Sequence, residues 1–337
     1  MDRRQALTLI AAALASPAHA RRPHRPRLTP DDFQPVLEGI EGAEGLATAP
    51  DGTLAFSCSN AAVGLRDPDE TVRYLGDPIA TGGLAFDPQG RVIAASVGAL
   101  HGREGPLRRI DPATGAVEVL AAELEGRRLV TSNCPVVARD GTIWCSHTGW
   151  SVGNIGTTAA EGFIYCITPD GAARIVARGL RGVNGLALGR GDRRLYAAMT
   201  AEGRVRAWDR LADGALRPAG FAGPPLGTVV PDQMAAVIRT MSAPQRSATG
   251  YCDGLAFDRV GTLYITLPFA NKVVVIDRRG QLSTLVHDPE GQRVRFPTNL
   301  AFGGPDGRDL FVVSRDAGMI VRARMPLAGL PAANWPG

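Results

Sequence analysis

Six copies of one short pattern run through the chain, and that repetition limits the fold more than any other feature. The copies read EGLATAPDGTLAFSCS from Glu44, GGLAFDPQGRVIAASV from Gly82, NCPVVARDGTIWCSHT from Asn133, NGLALGRGDRRLYAAMT from Asn184, DGLAFDRVGTLYITLP from Asp253 and TNLAFGGPDGRDLFVVS from Thr298. Repeats of this kind belong to architectures in which one small unit cannot bury its apolar face alone and must stack on its neighbour. In each copy a short apolar segment meets a turn bearing Asp or Gly, and a second β-rich segment follows. Ten residues after the first position stand Leu54, Val92, Ile143 and Leu263; one extra turn residue precedes Leu195, and two precede Leu310. Each copy therefore reads as a β-hairpin. Strand-like pieces at residues 107–110, 163–168, 205–208 and 273–277 fall where a third strand belongs. Four strands per unit, at a period of ~40 to 50 residues, make a propeller blade. The sequence predicts an all-β chain folded as a six-bladed β-propeller.

A propeller must close its ring. After the last hairpin, residues 319–325 (MIVRARM) supply a third strand before a Pro- and Gly-rich tail. The fourth is expected from the other end, at residues 33–37, so that an N-terminal strand closes the last blade and removes an exposed edge. The propeller domain is placed at residues 32–330, with an insertion at about 211–250 that contains a helix at 231–239.

Residues 1–20 read as an export signal: a basic start with Arg3 and Arg4, an apolar run at 6–15, and the cleavage pattern Ala18-His19-Ala20. Arg3-Arg4 also sits where a twin-arginine signal places its pair, so export to the periplasm or outside is expected. The apolar run is too short to span a bilayer, and no stable membrane insertion is expected. Residues 21–31 form a basic, Pro-rich leader (RRPHRPR at 21–27) without aromatics, which reads as solvated chain and not as a nucleic-acid arm. The formal charge of +4, from 37 basic and 33 acidic residues spread along the chain, gives no reason to expect nucleic acid as a partner. Five cysteines show no CxxC pair, which argues against a zinc–thiolate site, and Cys145 and Cys166 fall on sequential strands where a disulfide can form.

The first strand of each blade lines the central channel, so the first repeat position should form a ring at one level. That ring is Glu44, Gly82, Asn133, Asn184, Asp253 and Thr298, followed in each copy by small or apolar residues. One Asn or Asp before Gly would read as a turn former. Four polar side chains at one position read as a site. Two carboxylates and two carboxamides converging without a partner would repel or go unsatisfied, and one divalent cation answers both problems. Glu44, Asn133, Asn184 and Asp253 are the expected ligands. All-oxygen ligation favours a hard ion, Ca²⁺ first, with Mn²⁺, Mg²⁺ or Zn²⁺ as alternatives. The loop after strand two opens beside the ring; it carries His101 in the second blade and His147, Thr148 and Trp150 in the third. In the fifth it carries Phe269 and Asn271, and in the sixth Arg315 and Asp316. Asn133, His147 and His101 are the expected substrate contacts. No G-x-S-x-G elbow is present, against a serine esterase.

These residues carry a resemblance. Glu44-Gly45, Asn133 ahead of Asp140-Gly141-Thr142-Ile143-Trp144, Asn184-Gly185-Leu186-Ala187, Cys252-Asp253-Gly254-Leu255-Ala256 and residues 298–304 (TNLAFGG) resemble the family of senescence marker protein, gluconolactonase and luciferin-regenerating enzyme. The resemblance implies a six-bladed propeller holding one divalent metal through a Glu, two Asn and an Asp, which fall on Glu44, Asn133, Asn184 and Asp253. It implies a metal-dependent hydrolase opening a small lactone or ester, with Asp253 as the catalytic base. Thr131 and Cys134 stand where sugar-lactone members commonly show Arg and Asp, and His147 also departs from them. These departures bear on a hydroxyl-rich substrate, not on hydrolysis. Two other readings are an aryl ester or phosphoester hydrolase on the same metal, and a binding propeller whose ion is structural.

Overall fold

The computed structural model describes residues 27–151, 157 and 159–336. The expected export signal and most of the basic leader lie outside the described residues. Hydrophobic alternation along each repeat becomes a four-stranded antiparallel sheet, and there are six of them. The first blade runs Leu46–Thr48, Leu54–Phe56, Val63–Arg66 and Val72–Leu75; the second runs Thr81–Phe86, Val92–Ser96, Leu107–Ile110 and Val117–Ala121. The third comprises Ser132–Val137, Ile143–His147, Gly162–Ile167 and Ala173–Leu180, and the fourth Val183–Leu188, Arg194–Met199, Arg204–Arg210 and Leu216–Phe221. Leu255–Phe257, Leu263–Leu267, Lys272–Ile276 and Leu282–His287 build the fifth.

The sixth blade pairs Pro297–Gly303, Asp309–Ser314 and Met319–Arg324 with Gln34–Leu37 from the N-terminal side. Gln34 lies opposite Arg322 and Pro35 opposite Val321, so the ring closes as expected. Phe33, fully buried, anchors that strand between the fifth and sixth blades.

The core is a set of interfaces. Each of six apolar clusters draws side chains from two neighbouring blades, as with Leu65 and Val63 against Leu84 and Val92, or Ile143 and Tyr165 against Ile93 and Leu107. A blade is apolar on both faces because each face meets a neighbour. No single sheet could bury them alone.

Three expectations change. The fourth blade's outer strand, Leu216–Phe221, falls inside the expected insertion, so only the residues after it are extra; they carry two short helices, Met234–Thr240 and Ala243–Ser247. Cys145 and Cys166 are free thiols. Cys145 pairs with Tyr165 and Cys166 with Trp144, so the two sulfurs point to opposite faces of their sheet and into different clusters. The C-terminal tail does not simply run out: Leu330 N–H donates to Phe257 O (2.8 Å), Trp335 Nε1 donates to Thr48 O (3.3 Å), and residues 330–333 close the end of the channel away from the ring. No helix among the described residues is long and apolar enough to cross a membrane.

Candidate metal centre

The ring positions stand where the inner strands lose their ladder. Register shifts occur between Thr81 and Leu84, Ser132 and Pro135, Val183 and Leu186, and Pro297 and Leu300. A bulge of this kind turns a side chain out of the sheet plane and leaves backbone groups to be satisfied otherwise. Hydroxyls on strand two do that work. Ser57 Oγ accepts from Glu44 N (2.7 Å) and Gly45 N (2.9 Å), and Ser146 Oγ accepts from Cys134 N (3.0 Å) while donating to Asn184 O (2.7 Å) in the next blade. Thr266 Oγ1 accepts from Gly254 N (2.8 Å) and donates to Thr298 O (3.1 Å). Thr298 Oγ1 donates to Glu44 O (2.7 Å), which ties the last blade to the first at ring level. These hydroxyls escaped the sequence argument, although Ser57, Ser146 and Thr266 all stand thirteen residues after Glu44, Asn133 and Asp253.

Both carboxamides are oriented. Asn133 Nδ2 donates to Thr148 Oγ1 (2.9 Å), and Asn184 Nδ2 lies 3.4 Å from Thr200 Oγ1. Thr200 spends its own hydroxyl proton on Cys252 O (2.8 Å), so it must accept from Asn184. Each amide nitrogen is held by a threonine at the end of strand two, leaving Oδ1 as the free atom.

The carboxylates are charged neighbours. Burial raises the affinity of Glu44 for its proton, opposed by Arg315 and reinforced by Asp316. Burial pushes Asp253 well above the carboxylate range, and the charge of Glu44 adds to this while Arg315 opposes it. Arg315 Nε lies 2.9 Å from Glu44 Oε2, yet Oε2 accepts no directed hydrogen bond and its atom is buried. One guanidinium against two carboxylates leaves a negative charge uncompensated.

A divalent cation fits this donor set. Among the described residues no three His, Cys, Asp or Glu gather as a conventional metal cluster. The ring offers instead two carboxylates and two amide oxygens, a set suited to a hard ion. Below it, Leu46, Leu84, Leu186, Leu255 and Leu300 form an apolar girdle around the channel.

The other expected contacts fall differently. His147 is fully buried, stacked on Phe163 (4.3 Å between centroids) and packed against Trp150 (4.7 Å). Its Nε2 accepts from Val130 N and Thr131 N, both 3.2 Å away, and burial, helped by Arg127, pushes its pKa down to about 3. It is a neutral packing residue with its acceptor spent, not a substrate contact. His101 is exposed at the end of a 3-10 turn, Gly98–His101. Arg315, expected only at the mouth, reaches the ring itself.

Fold and site together define a six-bladed propeller whose inner strands carry Glu44, Asn133, Asn184 and Asp253 at matching positions. The chain belongs to the SMP-30/Gluconolactonase/LRE-like family, whose profile matches residues 65–316. No curated protein matches it by sequence. Among solved structures it is similar to a gluconolactonase from Xanthomonas campestris (22% identity, 87% of this chain and 89% of that one, TM-score 0.66). It is also similar to a calcium-binding regucalcin from Agrobacterium tumefaciens (18%, 90% and 95%, TM-score 0.63) and a luciferin-regenerating enzyme (15%, 89% and 98%, TM-score 0.65). At these identities the likeness is one of fold.

Proposed function

We propose that the protein is a hydrolase that opens a small lactone at the axial ring, with one divalent ion held by Glu44, Asp253, Asn133 Oδ1 and Asn184 Oδ1. The observation that carries this reading is the pinning of both amide nitrogens, which leaves two oxygens and two mutually repelling carboxylates as a donor set. Ca²⁺ suits these ligands best, and the regucalcin among the similar structures is described as calcium-binding. Bound there, such an ion supplies Lewis-acid polarisation of the substrate carbonyl.

The chain's own residues do the rest. Asp253, buried beside Glu44 and Arg315, takes a proton from the attacking water and returns it to the departing ring oxygen. Glu44 keeps Arg315 at the ring, where the guanidinium adds positive charge beside the oxyanion position. The leucine girdle beneath the ring limits water from the far side.

The test is proton release from a panel of lactones and esters, with and without chelator. Asp253→Asn should still fold, melting no lower than the wild type in chelator, while losing ~10²-fold or more of the turnover, as removal of a general base does. Full activity in chelator, or no hydrolysis of any lactone or ester by reconstituted protein, would end this reading. Export belongs to the proposal as well. Exported material should begin at Arg21, which N-terminal sequencing checks.

A further inference from the structure

The rim of the site is lopsided. Two residues before each ring position the blades carry Gly42, Ala80, Thr131, Gly182, Tyr251 and Phe296 in turn. Four of these are small and two, on adjacent blades, are aromatic. Tyr251 is buried, its hydroxyl accepting from Val230 N and donating to Val230 O (2.9 Å each), so the insertion braces it. Phe269 meets Tyr251 edge-on at 5.3 Å and Phe296 edge-on at 5.2 Å, making one continuous wall. Phe269 and Phe296 are half-buried, with part of each ring open.

The wall is built, not incidental. Phe296 holds a left-handed backbone conformation (φ 49°), and Asn271 Oδ1 fixes it by accepting its N–H at 2.9 Å. A left-handed phenylalanine is costly and persists only where its surroundings over-determine it. The wall also touches the chemistry. The Arg315 guanidinium lies 5.7 Å from the Phe296 ring centre, and its Nε is the atom beside Glu44. The opposite rim offers a polyol little. Thr131 is fully buried with its hydroxyl donated to Gly149 O, Cys134 is buried, and Asn133 Nδ2 is committed to Thr148.

We infer that the substrate carries a flat aromatic group, packed against Phe296 and Phe269 beside Arg315, and that the site disfavours polyhydroxylated sugar lactones. This rests on the lactonase reading and names its substrate class. Substrate hydroxyls brought to the Thr131 side of the rim would meet a threonine hydroxyl and an amide nitrogen that are already committed. An aryl ring gains an edge or face contact with the wall, over and above its buried area.

Binding of lactams, which resemble lactones but resist hydrolysis, tests this without relying on turnover. Ca²⁺-reconstituted protein is titrated calorimetrically with dihydrocarbostyril, the lactam of dihydrocoumarin, and with gluconolactam. The aromatic lactam should bind about tenfold tighter or better, and Phe296→Ala should weaken it about tenfold, the scale of one apolar pocket contact. Gluconolactam and Ca²⁺ affinities should not change in that variant. Phe269→Leu, which keeps apolar bulk, should weaken the aromatic lactam less. The inference is overturned if gluconolactam binds as tightly, if dihydrocarbostyril does not bind, or if Phe296→Ala weakens both lactams alike. Tight aromatic binding without hydrolysis of dihydrocoumarin or of any other lactone or ester in the panel would sink the lactonase reading and leave the aromatic site standing.

Discussion

Replacing Ser146 with alanine isolates what the hydroxyls of strand two contribute. Ser146 is fully buried and its Oγ serves two backbone groups at once, the Cys134 N–H (3.0 Å) and the Asn184 carbonyl (2.7 Å). Both lie at bulges where the ladder register shifts, so the ladder does not replace those bonds. Leaving a buried polar group unsatisfied costs about 1–3 kcal/mol, so two should cost about 2–4 kcal/mol together, as such penalties overlap when the backbone relaxes. With an unfolding entropy of ~2.1 cal/mol/K per residue over roughly 300 residues, the slope is about 0.6 kcal/mol per degree. The expected drop in Tm is about 3–7 °C by that arithmetic. Ca²⁺ affinity should fall as well, because Asn133 and Asn184 sit on the two freed segments. Ser96 is the control: also buried, its Oγ has no partner among the described residues, so Ser96→Ala should be neutral or mildly stabilising. Calorimetric melts of both variants in chelator, with Ca²⁺ titrations alongside, decide the matter. Equal losses in the two variants would mean that lost packing, not lost hydrogen bonds, sets the cost, and the account of the ring would fail.

Other expectations concern charge, closure and thiols. Glu44 and Asp253 have raised proton affinities when no ion is bound, so in chelator their contribution to stability is full below the ordinary carboxylate range and is lost as pH rises through their folded values. Metal binding needs both ionised, so the Tm gain from Ca²⁺ should grow with pH over the same window; a gain that shrinks as pH rises refutes the assignment of these two groups. Removing residues 1–37 takes out Phe33 and the strand on Met319–Arg324, and should lower the melt of the whole ring, whereas removing 1–26 should not. Identical melts would place the closure elsewhere. All five cysteines are buried and free, so thiol titration should find five thiols in denaturant and few before it, and dithiothreitol should leave Tm unchanged. A reductant-sensitive melt would reveal a bridge.

How much of this was legible depends on which interactions repeat. Blade number, ring positions and the closing strand could be read because apolar alternation and turn residues recur in every copy. The tail across the far channel end could not, since Leu330 and Trp335 act through single contacts that leave no period. His147 misled for a related reason. Its place at the end of strand two marks the mouth, but rotamer and depth decide whether a ring faces substrate or core, and Phe163 and Trp150 draw it into the core. Arg315 was placed at the mouth without a role, because a pairing with Glu44 links the two ends of the sequence. The cysteine pair shows the limit of adjacency: sequential strands put two residues near each other, and a one-residue offset puts them on opposite faces.

Packing also explains why four ring positions carry donors and two do not. A Cβ on Gly82 would stand 2.7 Å from Asn133 O, and one on Gly45 would overlap Gly82 O, so the second blade comes too close to its neighbours to carry any side chain at this level. In the sixth blade Thr298 fills the position, but its hydroxyl is spent on Glu44 O. Gly185 and Gly254 repeat the close approach, against Asp253 O and against Asn299 Cα at 2.7 Å, one residue beyond Asn184 and Asp253. These glycines let neighbouring inner strands approach closely beside the ring positions. A fifth donor at Gly82 would force the second and third blades apart and displace Asn133. The donor number is therefore fixed by how tightly the blades close, and the same closeness forces Glu44 and Asp253 to share one electrostatic environment.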